Sequence, residues 1–174
     1  EILSGLTEDT SVADESMTAE YVRFTFNRLV ENKKEINLES FLRVSLSKCM
    51  VDLVPKLLEM GAEPTLTMFL EYCVPKKPDC PEVQTYLDLT KMVLAKKPEF
   101  VNMYDAAGEG ALFKSADGGN LPCVQFFLDA GAEIDHPSEL GNTPLWIACS
   151  RRYPCIVDEL LSRGADPNKV NLKG

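Results

Sequence analysis

The chain is 174 residues long and 45% hydrophobic, enough to bury a continuous core in one elongated domain. Its formal charge of −9 and pI of about 4.7 repel phosphate, which argues against nucleic acid as a ligand. It contains no run of about 18 apolar residues, which argues against membrane insertion, and its first residues lack the basic-then-apolar layout of a signal peptide.

Residues 1–16 read as an acidic, turn-rich arm, since the first basic residue of the chain is Arg23. Such an arm is either a solvated, partly mobile terminus or a short anchor in which Ile2, Leu3 and Leu6 dock into a groove. From Met17 the pattern changes. Thr18 can cap a helix in which Tyr21, Val22, Phe24, Phe26, Leu29 and Val30 recur, ending in the polar stretch Glu31 to Glu35. Residues 17–37 are therefore expected to form a capping helix that shields the first of the repeating units that follow.

Residues 38–64 open with Ser40-Phe41-Leu42, continue through Val54, Leu57 and Leu58, and stop at Gly61-Ala62-Glu63-Pro64. Ser40 supplies the helix cap in this reading. Residues 65–107 are less regular. Leu66, Met68, Phe69, Leu70 and Tyr72 suggest one helix and Glu82 to Ala95 a second, separated by a Pro-Lys stretch at 74–81 whose three prolines forbid helix and sheet ladders alike. Lys96 to Asn102 stands where a closing Gly-Ala would be expected.

Residues 108–140 carry Gly110-Ala111-Leu112-Phe113, a tight turn at Gly118-Gly119, a second helix opened by Asn120-Leu121-Pro122, and a stop at Gly131-Ala132. Losing Thr and Pro at the opening should weaken the start of that first helix. Residues 141–173 state the unit most fully. Thr143 caps and Pro144 fills the first helical position, Tyr153-Pro154 opens a second helix with Ile156, Val157, Leu160 and Leu161 on one face, and Gly164 ends it. Shifting the sequence by 33 residues lays Gly108 on Gly141, Gly131-Ala132 on Gly164-Ala165, Leu112 on Leu145, Val124 on Val157, and Phe127-Leu128 on Leu160-Leu161. Residues 169–174 then write the beginning of a further unit. Val157, Leu160 and Leu161 are left with nothing to pack against, so either the natural protein continues or the last unit contacts another molecule.

With that period and the run Thr143-Pro144-Leu145-Trp146-Ile147-Ala148, the chain resembles the ankyrin repeat family, whose helix opening is T-P-L-H-x-A. Tryptophan stands at the usual histidine. The resemblance implies an all-α, helix-turn-helix repeat solenoid with short hairpin loops, its repeats near 38–64, 65–107, 108–140 and 141–173.

Little catalytic chemistry is written here. His136 is the only histidine, so a two-histidine zinc site is excluded, and it reads as an ordinary surface residue in a hairpin before Pro137. Gly108-Glu109-Gly110 and Gly118-Gly119 lack the G-x-x-x-x-G-K-[ST] layout and read as turn glycines. No catalytic, cofactor-binding or metal-binding residues are assigned, and no cofactor is expected. The six cysteines show no C-x-x-C spacing and read as reduced, mostly buried thiols. That points to an intracellular setting, cytoplasmic first, with the nucleus left open. Lys76-Lys77, Lys96-Lys97 and Arg151-Arg152 are either solvated surface or, if they share a face, a receptor for an acidic partner segment.

What remains is recognition of a protein partner. The family resemblance implies that hairpin tips and the outward side of each first helix bind, along a concave face. In the last unit those positions are Glu139, Leu140, Asn142, Trp146, Ser150 and Arg151; in the preceding one, Ala106, Ala107, Glu109, Phe113, Asp117 and Gly118. The eight residues expected to bind the partner are Glu109, Phe113, Asp117, Leu140, Asn142, Trp146, Ser150 and Arg151. Trp146 and Arg151 are hot-spot residue types on one helix, although Trp146 and Phe113 could instead pack on each other. The leading expectation is a non-catalytic scaffold. The alternatives are a targeting or regulatory segment of a larger multidomain enzyme, or an assembly subunit whose last unit stacks on another chain.

Overall fold

The computed structural model describes residues 13, 16–32, 34–74 and 83–173, and all regular structure among them is helical. The chain divides into two compact units, residues 1–64 and 65–174. The arm residues Ile2, Leu3 and Leu6, and Lys76, Lys77 and Cys80 of the Pro-Lys loop, lie outside the described residues.

In the first unit, α1 (Ala19–Glu31) starts at Thr18, whose hydroxyl accepts the Tyr21 N–H. Its buried residues, Val22, Thr25, Phe26 and Leu29, follow the i, i+3, i+4, i+7 spacing of a single helical stripe. Phe24 and Val30, apolar residues that recur in the same helix, fall off the stripe and are 48% and 45% exposed. α2 (Leu38–Ser47) begins before the sequence suggested. Asn37, not Ser40, is its cap, and accepts the Ser40 N–H at 2.9 Å. Ser40 is committed elsewhere: its Oγ accepts the Ala13 N–H at 3.0 Å and donates to the Asn37 carbonyl. Phe26 of α1 and Phe41 of α2 meet with ring centroids 5.7 Å apart, and α3 (Val54–Glu59) packs on α2.

In the second unit, Thr65 caps α4 (Leu66–Met68), which runs on as a π-helical turn, Phe69–Cys73. Such a turn frees a carbonyl at its end, and Thr90 of α5 (Val83–Lys96) donates its buried hydroxyl to Cys73 O at 2.7 Å. A 3-10 turn, Pro98–Asn102, replaces the absent Gly-Ala stop and buries Phe100 and Val101. Two helix pairs follow, α6 (Ala111–Asp117) with α7 (Leu121–Asp129), and α8 (Pro144–Arg151) with α9 (Pro154–Ser162). α6 packs on α8 and α7 on α9, so like elements stand side by side. Phe69 lies 5.6 Å from Phe100 and 6.1 Å from Phe127, centroid to centroid, which ties the irregular pair to the regular ones. Leu160, expected to have nothing to pack against, is fully buried, because α9 turns it toward the preceding pair; Leu161 is the one left 42% exposed.

The turn inside each regular pair is closed in one way. Met50, Asn120 and Tyr153 donate their N–H groups to Ser45, Ser115 and Ala148 carbonyls at 2.8, 2.9 and 3.0 Å. The residue before each donor is left-handed: Cys49 at φ 53°, Gly119 at 71° and Arg152 at 63°. Cys49 is thus a turn residue. Cys73 and Cys123 are buried as the sequence suggested, whereas Cys149 and Cys155 are exposed, on the outward side of α8 and in the first turn of α9. None of the five described cysteines is joined in a disulfide.

Candidate protein-binding face

The face is organised by hairpin tips that touch their neighbours through backbone. Gly108 and Gly141 adopt φ of 71° and 76°. A Cβ on either would come within 3.0 Å of the next tip's backbone, at Glu139 N and Leu172 N respectively. Only a residue without a side chain allows that approach. The approach makes a hydrogen bond each time: Glu139 N–H donates to Ala107 O at 2.9 Å, and Leu172 N–H to Leu140 O at 3.0 Å. A second periodic bond runs beneath. Asn102 Oδ1 accepts the Glu133 N–H at 2.8 Å, and one period later the Asp135 carboxylate accepts the Asp166 N–H at 3.2 Å.

The tip at Gly108 is braced from within. Asp105 accepts the N–H groups of Ala107 and Glu109, and Lys114 bridges Asp105 at 2.8 Å and Glu109 at 3.0 Å. Burial pushes the Asp105 carboxyl up, but Lys114 and the two N–H donors outweigh it and hold it below its ordinary value. Burial likewise lowers Lys114, and its two carboxylate partners more than reverse that. Thr143 accepts the Trp146 N–H at 3.2 Å, the cap read from the sequence. α6 has no such side-chain cap, yet it forms, beginning at Ala111 after Gly110. A Cβ at Gly110 would lie 2.8 Å from the Tyr104 ring, so that opening is glycine because an aromatic covers it.

Tyr104 belongs to a cluster the sequence did not signal. Its ring stacks on His136, centroids 3.4 Å apart and 5° from parallel, and Glu133 Oε2 receives Tyr104 OH at 3.1 Å and lies 3.3 Å from His136 Nδ1. His136 is therefore a half-buried bracing residue rather than an ordinary surface histidine. Burial, then the hydrogen bond and charge of Glu133, push the Tyr104 phenol up to about 12.

The eight expected binding residues do not share one fate. Phe113 is only 7% exposed and packs in the core of α6, so it offers a partner no surface. Ala111, Leu112, Ser115 and Ala116 are buried with it, in a helix packed against α7 and α8. Glu109 is half-buried and held by Lys114, and Asn142 accepts Asn171 Nδ2 at 3.0 Å. Asp117 and Arg151 come together, Nε to Oδ1 at 2.7 Å, with both side chains open to solvent. Asp117, through that hydrogen bond and its charge, raises the Arg151 guanidinium further above its ordinary value. Ser150 is exposed, Leu140 is 64% exposed and Trp146 38%. Of the wider set, Glu139, Ala106 and Ala107 are exposed and Gly118 is buried.

α8 therefore buries Pro144, Leu145 and Ala148 and turns Trp146, Cys149, Ser150 and Arg151 outward. No helix among the described residues is long and apolar enough to cross a membrane.

Comparison with known proteins agrees with this periodic geometry. The chain is 34% identical over 111 residues to human Protein phosphatase 1 regulatory subunit 27, across 64% of this chain and 66% of that protein. With the mouse protein of the same name it is 44% identical over 68 residues, 39% of this chain and 44% of the relative. It is also 36% identical over 88 residues to Palmitoyltransferase AKR1 of Kluyveromyces lactis, 49% of this chain but 12% of that protein. Ankyrin repeats (3 copies) is the family matched over residues 82–171, just over half of the chain. With that match, and with tips, turns and buried positions recurring at one spacing, the chain belongs to the ankyrin repeat family.

Proposed function

We propose that the chain is a non-catalytic interaction scaffold that binds a partner protein through the hairpin tips and the outward sides of α6 and α8. The observation that carries this is the composition of the α8 surface: Trp146 and Arg151 face solvent on a helix whose packing is completed by Pro144, Leu145 and Ala148. Exposing a tryptophan is unfavourable, and Trp and Arg are the residue types that most often dominate interface energy. Similarity to proteins named as regulatory subunits of protein phosphatase 1 supports action by binding, and makes a phosphatase catalytic subunit the first partner to try. A second reading, an ankyrin segment of a larger multidomain enzyme, is favoured by the palmitoyltransferase, in which the matched stretch is a small part of the whole.

The test is affinity capture with the intact chain and with a Trp146→Ala, Arg151→Glu double variant. The double variant is expected to lose the partner while keeping the helical signal and melting midpoint of the parent. Unchanged capture moves the binding surface elsewhere.

A further inference from the structure

We infer that the last hairpin tip and the start of α8 form a docking patch for a partner segment in which bulky apolar residues are flanked by carboxylates. The patch lies on the proposed protein-binding face, and the inference rests on that reading while naming the chemistry of the partner.

Leu140 and Leu172 are 64% and 78% exposed and sit on adjacent tips joined by the 3.0 Å bond from Leu172 N–H to Leu140 O. Trp146 lies in the first turn of α8, four residues after Asn142, whose side chain receives Asn171 Nδ2. Leu140 and Leu172 thus emerge at a single tip-to-tip contact, and Trp146 is exposed on the helix that this tip leads into. The preceding tip-to-tip contact has Ala107 where this one has Leu140, and Glu139 where this one has Leu172. Ala107 and Glu139 are exposed although each has the next hairpin bonded beside it, and so is Leu140. Tip side chains therefore stay free when another hairpin stacks, and their exposure belongs to the position. An apolar cluster held in water at such a position is the kind of patch that marks a binding site.

Charge identifies the occupant. Residues 141–173 hold five cations and three carboxylates, in a chain whose net charge is −9. Arg151 and Arg163 are committed to ion pairs with Asp117 and Asp129. Lys169 and Lys173, on either side of Leu172, have no carboxylate within ion-pair distance among the described residues. The apolar patch is rimmed by unpaired cations on that side and by exposed Glu139 on the other. An acidic, apolar segment is attracted toward the Lys169–Lys173 edge, which favours carboxylates beside its apolar residues. An anionic membrane would meet the same cations, but as an extended surface it also faces the chain's net charge of −9, whereas a short segment meets only the local cations.

Trp146 is the chain's sole tryptophan, so its emission reports on the patch directly. The probes are a short tryptophan-free synthetic peptide of leucines flanked by glutamates, its analogue with every glutamate replaced by lysine, and mixed phosphatidylserine–phosphatidylcholine vesicles. The acidic peptide alone is expected to give a saturable blue shift. The Lys169→Glu, Lys173→Glu variant should weaken it by about tenfold, and Leu140→Ser with Leu172→Ser should abolish it, with melting midpoints unchanged. Equal binding of the lysine analogue, a response to vesicles alone, or no shift with either peptide overturns the inference. If the acidic peptide fails while the Trp146→Ala, Arg151→Glu variant still loses its captured partner, the proposed function stands and only the partner chemistry falls.

Discussion

Arg151 reaches back 34 residues to Asp117, Nε to Oδ1 at 2.7 Å, and the same step recurs twelve residues further on, where Arg163 Nη1 meets Asp129 Oδ1 at 2.8 Å. One pair links the first helices of adjacent repeats and the other links the second helices. Both are solvent-exposed, so screening and side-chain entropy leave them little stabilising effect. Arg151→Ala is accordingly expected to leave the thermal midpoint within about two degrees of the parent at moderate salt. A drop of ten degrees would mean that the pair bears on the fold and is not held ready for a partner.

Glycines with positive φ should divide by what their missing side chain would strike. Gly108 and Gly131 both have positive φ, 71° and 83°, but a Cβ at Gly108 meets Glu139 and Ser138 backbone at 3.0 to 3.2 Å, while at Gly131 nothing lies within 4 Å. Gly131→Ala carries only left-handed strain, about 1 kcal/mol. Gly108→Ala adds a backbone clash that cannot be relieved by a rotamer change and should cost about 2 kcal/mol more. Urea midpoints for the two variants check the order, and equal losses would show that the tips separate easily.

The periodic parts of this fold were legible because turn-makers and buried side chains recur together. Gly108, Gly141, Gly131 and Gly164 all take the positive φ that their alignment implied. Leu112, Leu145, Val124 and Phe127 are buried where the shifted sequences coincide. What escaped was whatever one position does for a single neighbour. The inward turn of Phe113 and the outward one of Trp146, at equivalent positions, depend on local packing and not on spacing. The Tyr104–His136 stack joins residues of different repeats with no periodic counterpart, since the positions 33 residues further on hold Pro137 and Lys169. The cap of α2 was misplaced because Ser40 and Asn37 are both good caps, and the decision is made by the Ala13 N–H that occupies Ser40.

The Tyr104 phenol supplies a pH dependence with a definite sign. Its value of about 12 in the fold lies above the ordinary tyrosine value of 10.0, so the protonated form is the one the fold favours. The contribution is complete below about pH 10 and is lost as the pH rises from there through about 12. Absorbance titration near 295 nm should show a late-titrating phenol that the Tyr104→Phe variant lacks. Glu133→Gln removes the charge and should lower that midpoint only in part, because burial is the larger cause. A Glu133→Gln shift that returned the phenol fully to its ordinary value would reverse that order of causes.

A last prediction concerns the first unit, where Thr25 Oγ1 and Ser45 Oγ are buried without a hydrogen-bond partner. Ser45 corresponds in the repeat to Ser115 and Ala148, all three fully buried. Ser115 donates its hydroxyl to Ala111 O at 2.8 Å, and Ala148 has no hydroxyl to satisfy, so Ser45 alone carries the desolvation without the bond. Ser45→Ala removes that penalty and leaves too small a gap to matter, and should raise stability by about 1 kcal/mol. Ser115→Ala deletes a made bond, though it leaves only a carbonyl that keeps its helical partner, and should be neutral to mildly destabilising, by less than about 1 kcal/mol. Guanidinium unfolding of the two variants should therefore move in opposite directions or leave Ser115→Ala unmoved; a loss of stability in Ser45→Ala would mean that its hydroxyl has found water inside the helix pair.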